Sequence, residues 1–158
     1  MANKIEEKIS EKLNRIKVKD IMTRSVMTTH EDETLSDLAD LLIRTKISGV
    51  PVIKDNIVSG IITTTDLLKL MGQIKEGAFA KTGASSDSNP TVKMFMTRNV
   101  STVTEENSLA DIVDIMCAKN IHTLPVVRDN KLVGIVGRRD MIMYFYAALR
   151  DSIQENKT

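Results

Sequence analysis

The strongest constraint on this chain is an internal repeat. Residues 18–67 align without a gap onto residues 92–141 at a constant offset of 74 positions. The matches include Val18-Lys19-Asp20-Ile21-Met22-Thr23-Arg24 with Val92-Lys93-Met94-Phe95-Met96-Thr97-Arg98, Pro51-Val52 with Pro125-Val126, and Asp66 with Asp140. Apolar positions and turn positions both repeat, so the chain contains two copies of one folding unit.

Each copy has the pattern of a β-α-β-β-α unit. In the first copy the predicted elements are a β run at Val26–Thr28, a helix with an apolar face of Leu35, Leu38, Ala39 and Leu42, strands Val50–Ile53 and Ile57–Ile62 around the turn Lys54-Asp55-Asn56, and a helix that opens near Asp66. In the second copy they are a helix face of Leu109, Ile112, Val113 and Met116, strands Leu124–Val127 and Lys131–Val136, and a helix near Asp140. The fold class is therefore α/β (α+β). One unit is too small to fold well alone, which predicts that the two copies pack together.

The repeat also divides the chain. We expect an N-terminal amphipathic helix over 1–16, the first repeat over 17–73, a flexible linker over 74–90, the second repeat over 91–150 and a C-terminal tail over 151–158. The apolar face of the first helix consists of Ile5, Ile9, Leu13 and Ile16. Glycine, serine, asparagine and proline mark the linker.

Composition excludes several classes of function. The 22 basic and 21 acidic residues leave a net charge of +1, so nothing attracts nucleic acid or a membrane in general. The single cysteine, Cys117, excludes an internal disulfide or a cysteine-rich zinc site, and its alignment with Ile43 predicts that it is buried. No apolar stretch approaches the ~18 residues of a membrane helix, so we expect a soluble cytoplasmic protein. No nucleophile–base pair, metal-ligand cluster or phosphate-binding loop is present, so we expect no catalytic residue, no metal site and no enzymatic activity.

Several motifs carry a resemblance to a known family. They are Asp-Ile-Met-Thr-Arg at 20–24 and Phe-Met-Thr-Arg at 95–98, Gly49-Val50-Pro51-Val52 and Thr123-Leu124-Pro125-Val126, and Gly60-Ile61-Ile62-Thr63-Thr64-Thr65-Asp66. With the doubled β-α-β-β-α pattern, the chain resembles a tandem pair of CBS domains, a Bateman module. The resemblance implies a pseudo-twofold pair with two clefts, and a regulatory ligand that is AMP, ADP, ATP or S-adenosylmethionine.

The same resemblance implies site residues. Thr63 and Asp66 match the family motif in which the aspartate takes the ribose hydroxyls and the threonine helps to hold phosphate. Thr63 and Asp66 also form the sequence of a helix capping box, which is the alternative explanation. In the second copy Gly137 replaces the threonine, although Asp140 remains. The clefts are therefore predicted to be unequal, with the nucleotide expected at the first.

Further residues complete the predicted site. The adenine is expected near Thr28, Lys46, Ser48, Val50 and Pro51 in the first copy, and near His122, Leu124 and Pro125 in the second. Arg138 and Arg139 either contact phosphate or are solvated. Arg24 and Arg98 are open to the same two interpretations.

The partners predicted from sequence are an adenosine-containing small molecule, a second copy of the chain and a regulated protein. Tyr144, Phe145 and Tyr146 beside Met141 and Met143 make an apolar surface that favours a homodimer. The alternative functions are a dimerisation scaffold without ligand, and RNA binding through Arg98, Arg138 and Arg139, which the near-neutral charge and scarce aromatic residues disfavour.

Overall fold

The computed structural model describes residues 2–78 and 89–155, so residues 79–88 of the predicted linker and residues 156–158 of the predicted tail lie outside the described chain. In chain order the elements are α1 (Ala2–Arg15), α2 (Val18–Ile21), β1 (Thr29–His30), α3 (Leu35–Thr45), β2 (Gly49–Lys54), β3 (Ile57–Thr63), α4 (Thr64–Lys75), a 3-10 turn (Val92–Met94), α5 (Leu109–Lys119), β4 (Thr123–Arg128), β5 (Lys131–Gly137) and α6 (Arg138–Glu155). The mixed α/β class and the N-terminal helix are confirmed.

The chain forms two compact units. Unit I is the continuous segment Met27–Val100, and unit II combines Met1–Val26 with Ser101–Thr158. Helix α4 continues two residues into the predicted linker, and α6 continues through residues 151–155 of the predicted tail.

Both predicted hairpins form at the expected turns. Asp55 and Asn56 have φ values of 52° and 63°, and Asp129 and Asn130 have values of 50° and 63°. Two consecutive residues in the left-handed region make a type I′ turn, whose twist matches that of the flanking strands. Asparagine and aspartate tolerate this conformation better than most residues, which explains their place at both turns.

Unit I contains a sheet of β1, β2 and β3. Strand β1 pairs parallel to β2, and β2 pairs antiparallel to β3. The predicted face of α3 packs into one apolar cluster with the sheet, composed of Leu35, Leu38, Leu42, Val50, Val52, Ile62, Leu70, Val92 and Met96. The first β run, predicted at Val26–Thr28, is displaced to Thr29–His30, because these residues pair with Val52 and Ile53 of β2.

Unit II contains the hairpin of β4 and β5 and the helices α1, α2, α5 and α6. Its core consists of Val18, Met22, Val103, Leu109, Ile112, Leu124, Val126, Val136 and Met141. Helix α1 contacts α5 and α6, and Leu13 and Ile16 pack against this core. The position equivalent to β1 makes one parallel bridge, between Val103 and Val126.

The segments that carry Met-Thr-Arg, residues 17–24 and 91–98, do not pack with their own repeats. Residues 91–98 lie in unit I, where Thr97 bridges Ile61, and residues 17–24 lie in unit II, where Thr23 bridges Ile135. The arginines of these segments also form ion pairs within those units. Arg98 Nη1 lies 3.4 Å from Glu31 in unit I, and Arg24 Nη1 lies 3.3 Å from Glu105 in unit II. The compact units therefore have different boundaries from the sequence repeats.

Two glycines make this packing possible. A Cβ on Gly60 would lie 2.7 Å from the Met96 sulfur and 3.0 Å from the Thr97 carbonyl oxygen. A Cβ on Gly134 would lie 2.6 Å from the Met22 sulfur. Contacts this short are not found in packed proteins, so each glycine is needed for the close approach of a Met-Thr-Arg segment.

Gly60→Ala is expected to destabilise the chain by about 1–3 kcal/mol, because the added methyl overpacks against Met96. Gly72→Ala is the matched control, since no atom lies within 4 Å of its Cβ position and the residue is inside helix α4. The control should stabilise by roughly 0.5–1 kcal/mol, because alanine favours a helix over glycine. Urea unfolding measures both; equal effects would contradict the close packing.

Glu105 is the centre of a charge cluster in unit II. Arg128 Nε donates to its Oε2 at 2.7 Å, and Arg24 Nη1 approaches Oε1 at 3.3 Å. The hydrogen bond from Arg128, with a smaller one from Arg24, lowers the pKa of Glu105 from its ordinary value of 4.5, although partial burial opposes the shift.

Because the folded pKa is the lower one, the charged Glu105 stabilises the fold above the unfolded pKa, and this contribution is lost as the pH falls through the folded pKa. Glu105→Gln is therefore expected to reduce stability at pH 7, with a deficit relative to wild type that shrinks below about pH 4.5. Thermal unfolding across pH 3–7 measures it. Glu6→Gln, on the exposed surface of α1, should show no such dependence.

Cys117 contradicts its prediction. It is exposed on α5, and the equivalent Ile43 on α3 is 75% exposed. The prediction was wrong because it assumed an apolar face one position too wide, whereas Leu109 and Ile112 supply the fully buried contacts of this helix.

Among the helices of residues 2–78 and 89–155, none combines the length and the apolar character that crossing a bilayer requires.

Candidate functional site

Several predicted residues of the first copy lie where β2 begins and β3 ends, since Gly49 is paired with Thr63 there. Strand β1 pairs with Val52 and Ile53, farther along β2, so its start lies three residues from that end. Thr28 immediately precedes β1, Ser48 precedes β2, and Thr63 is the last residue of β3. The Thr64 N–H donates to the Ser48 carbonyl oxygen at 2.8 Å, which joins two of these strand ends directly.

Thr63 and Asp66 form a complete capping box at the start of α4. The Thr63 N–H and hydroxyl each donate to Asp66 Oδ2 at 2.8 Å, and the Asp66 N–H donates to the Thr63 hydroxyl oxygen at 3.3 Å. The alternative explanation from sequence is therefore correct as local geometry. The cap leaves one carboxylate oxygen of Asp66 unused, because both hydrogen bonds that the side chain accepts end on Oδ2. Thr63 and Asp66 are both half-buried, so the N-terminus of α4 is partly exposed to solvent.

Three other predicted residues of the first copy differ in exposure. Lys46 is exposed and caps the C-terminus of α3 in the left-handed conformation, with φ 56°. Val50 belongs to the core cluster of unit I, and the Pro51 side chain is fully buried. A ligand at this edge would therefore meet the polar residues and the backbone before these two apolar side chains.

The equivalent residues of the second copy gather at the end of the β4–β5 hairpin. The Arg138 N–H donates to the His122 carbonyl oxygen at 2.8 Å, and the Gly137 N–H donates to Asp140 Oδ2 at 2.7 Å. Asp140 thus accepts the backbone hydrogen bond of a capping box, but Gly137 has no side chain that could accept the Asp140 N–H in return. The side chains of His122, Arg138 and Arg139 are exposed, whereas Leu124 belongs to the core of unit II and Pro125 is buried.

The side chains of Arg24 and Arg98 are 61% and 59% exposed, which agrees with the solvent-facing interpretation. Both side chains are paired with glutamates, Arg24 with Glu105 and Arg98 with Glu31. Each guanidinium also donates to the carbonyl oxygen of a lysine five residues earlier in its own segment. These arginines therefore hold the Met-Thr-Arg segments in place.

Two residues were missed by the sequence reasoning. Gly49 is the partner of Thr63 across β2 and β3, and Thr123 is the partner of Gly137 across β4 and β5. The repeat alignment contains the signal, because Gly49 aligns with Thr123 and Thr63 aligns with Gly137. Only the strand register shows that the exchanged residues face each other.

In the described part of the chain, no group of three or more His, Cys, Asp or Glu side chains is arranged to hold a metal ion.

The comparison with family models is decisive for the family. The CBS domain model matches twice, over residues 18–73 and 92–147. The chain belongs to the CBS domain family. These matches coincide with the two sequence repeats, and a CBS pair is a regulatory module.

Known CBS proteins resemble the chain in sequence and in structure. The uncharacterized protein MJ1225 of Methanocaldococcus jannaschii is 33% identical over 130 residues, which is 81% of this chain and 46% of that protein, so the chain spans less than half of this relative. The crystal structure of the CBS pair of protein MJ0100, in complex with 5′-methylthioadenosine and S-adenosyl-L-methionine, has a TM-score of 0.72 and 30% identity, covering 84% of this chain and 97% of that one. The structure of CBSX2 in complex with AMP has a TM-score of 0.70 and 27% identity, covering 83% and 96%.

Proposed function

We propose that this chain is a regulatory module that binds an adenosine-containing ligand, AMP, ADP, ATP or S-adenosylmethionine, and changes its conformation or its binding to a regulated protein. The observation that carries the proposal is the grouping of Ser48, Thr63 and Asp66 where β2 begins and β3 ends, beside the N-terminus of α4. The similar CBS pairs with bound AMP, methylthioadenosine and S-adenosylmethionine support the ligand class. The role is regulatory and includes no chemical step.

In the first site Asp66 is the ribose ligand. Its capping bonds use both lone pairs of Oδ2, so Oδ1 is available to accept hydrogen bonds from the ribose diol. The N-terminal end of α4 places the positive end of a helix dipole at the same edge, which favours a phosphate group. Adenine lies along the strand ends near Thr28, Lys46 and Ser48, where backbone groups can recognise a purine.

In the second site Asp140 has the equivalent position at the start of α6. Arg138 and Arg139 are exposed beside it, and within the described residues no ion pair occupies either guanidinium. Their charge favours phosphate, since arginine forms strong hydrogen bonds with phosphate oxygens. His122, Leu124 and Pro125 line the adenine side through their backbone.

Isothermal titration calorimetry on the full chain tests the function. AMP, ADP, ATP, S-adenosylmethionine and 5′-methylthioadenosine are titrated separately, and at least one is expected to bind with a stoichiometry of one or two. Guanosine monophosphate is the control for recognition of the base. Failure of every adenosine compound to bind at millimolar concentration would refute the proposal and leave the dimerisation scaffold as the better reading.

The proposed module acts as a homodimer. Leu68 on α4 and its repeat equivalent Ile142 on α6 are 66% and 60% exposed, and Met71 and its equivalent Phe145 are 64% and 42% exposed. An apolar helix face that recurs at equivalent positions of both repeats is suited to a second copy of the same chain, because an isologous interface uses one patch on each subunit.

The combined variant Leu68→Lys and Ile142→Lys is therefore expected to have the mass of one chain, 17.6 kDa, while the wild type has twice that mass. Light scattering after size-exclusion chromatography measures both. Ile43→Lys is the matched control, since Ile43 is an exposed isoleucine on α3, outside the repeated face. A wild-type mass of one chain at micromolar concentration would contradict the dimer.

A further inference from the structure

The two sites differ by an exchange of threonine and glycine across a strand pair. In unit I, Gly49 on β2 faces Thr63 on β3. In unit II, Thr123 on β4 faces Gly137 on β5. Directly opposed residues of antiparallel strands point to the same face, with Cβ atoms about 4.5–5.5 Å apart. Each pair thus presents one threonine hydroxyl at the same edge, from opposite strands.

The geometry of unit I allows only one threonine in such a pair. A Cβ on Gly49 would lie 2.9 Å from Thr63 Cγ2 and 3.3 Å from the Ile62 carbonyl oxygen. The glycine is therefore required opposite the threonine. In unit II a Cβ on Gly137 would lie 3.5 Å from Asp140 Oδ2 and 3.7 Å from the His122 carbonyl oxygen, so Thr123 does not by itself require a glycine opposite it. Thr123 nevertheless gives the second site a hydroxyl that its motif lacks.

The two hydroxyls differ in their hydrogen bonds. The single proton of Thr63 Oγ1 is donated to Asp66 Oδ2 at 2.8 Å. Among the described residues, none hydrogen-bonds with the half-buried Thr123 hydroxyl. Asp140 Oδ2 correspondingly accepts only the Gly137 N–H, at 2.7 Å. Thr123 can therefore donate to a ligand without breaking a helix cap, and Asp140 has one more lone pair available than Asp66.

We propose that Thr123 is a specificity-determining residue of the second site and that it donates to a phosphate oxygen of an adenosine nucleotide whose ribose is held by Asp140. This inference rests on the proposed function. Phosphate is the matching acceptor because Arg138 and Arg139 place positive charge at the same helix start, which also disfavours a cationic sulfonium ligand. The second site thus selects a phosphorylated ligand through a hydroxyl from β4.

The test uses the full chain with Asp66→Asn, in which the first site is weakened and the second is measured, with AMP and unphosphorylated adenosine as probes in calorimetry. Thr123→Val is expected to weaken AMP binding about tenfold while adenosine affinity stays within twofold, because one hydrogen bond to a charged group is lost. Thr123→Ser, which keeps the hydroxyl, should retain AMP affinity, and thermal unfolding without ligand verifies that each variant is folded.

AMP affinity unchanged in Thr123→Val, or an equal loss for AMP and adenosine, would overturn the inference and leave the proposed function standing. Absence of any adenosine binding to the wild-type chain would overturn both.

Discussion

Residues 27–100 are expected to fold in isolation, whereas residues 17–90, a fragment of the same length, are expected to remain unfolded. The first fragment is unit I, and the second follows the sequence repeat and its linker. Fragment 17–90 lacks Val92 and Met96, which are 0% and 8% exposed in the core of unit I. Burial of two such side chains contributes roughly 3–6 kcal/mol. That loss is comparable with the whole stability of a small domain, about 5–15 kcal/mol.

Circular dichroism and amide hydrogen exchange distinguish the two fragments. Fragment 27–100 should show cooperative thermal unfolding and protected amides in β2 and α3, and fragment 17–90 should show neither. The Val18 and Met22 side chains in fragment 17–90 provide no substitute, because they pack in the core of unit II. Cooperative unfolding of fragment 17–90 would show that a repeat can fold with its own Met-Thr-Arg segment.

The full chain offers a matched pair for the same question. Met22 and Met96 are repeat equivalents, each 8% exposed, but they lie in different units. Met96→Ala should therefore increase hydrogen exchange in β2 and α3, and Met22→Ala should increase it in β4 and α5. The expected cost of each substitution is about 2–5 kcal/mol. If Met96→Ala instead increased exchange in β4 and α5, the assignment of residues 91–98 to unit I would be contradicted.

Asp66→Asn is expected to weaken ligand binding at the first site by about 10- to 100-fold, which corresponds to about 1.5–3 kcal/mol for hydrogen bonds to a charged group. The amide keeps the size of the side chain, and its oxygen can still accept the Thr63 N–H, so the helix cap is largely preserved. What is lost is the negative charge and the second carboxylate oxygen, which is the acceptor for the ribose diol. Calorimetry with the ligand identified for the wild type measures the change.

Asp111→Asn separates binding from capping. Asp111 Oδ2 accepts the Ser108 N–H at 2.8 Å, and the Asp111 N–H donates to the Ser108 hydroxyl oxygen at 3.1 Å, so α5 starts with the same capping box as α4. The affinity of this control should stay within twofold of the wild type, and its thermal stability should fall by about as much as that of Asp66→Asn. Equal losses of affinity in both variants would mean that Asp66 acts only as a helix cap.

Much of the fold was predictable because it depends on local chemistry. The hairpins were placed correctly because the Asp-Asn pairs at 55–56 and 129–130 favour one turn type. The buried leucines of α3 and Leu109 and Ile112 of α5 were placed because apolar residues recur with the helical period, but Val113, predicted on the same face, is 38% exposed. Cys117 was misplaced because the apolar face is narrower than the pattern suggests. The position of β1 was shifted because a two-residue strand depends on its partner β2 and carries little signal of its own.

The sequence by itself determined that the chain contains two copies of a β-α-β-β-α unit and that its two motifs are unequal, and its motifs carried a resemblance to CBS domains. Only the tertiary structure decided which Met-Thr-Arg segment completes which core, and which residue stands opposite each motif. The physical reason is that each segment contributes a valine and a methionine at equivalent positions to a core, Val18 and Met22 or Val92 and Met96, so these residues cannot assign a segment to a unit. Likewise, the exchange of Gly49 and Thr63 for Thr123 and Gly137 is visible in the sequence, but only the strand register shows that the two residues of each pair face each other.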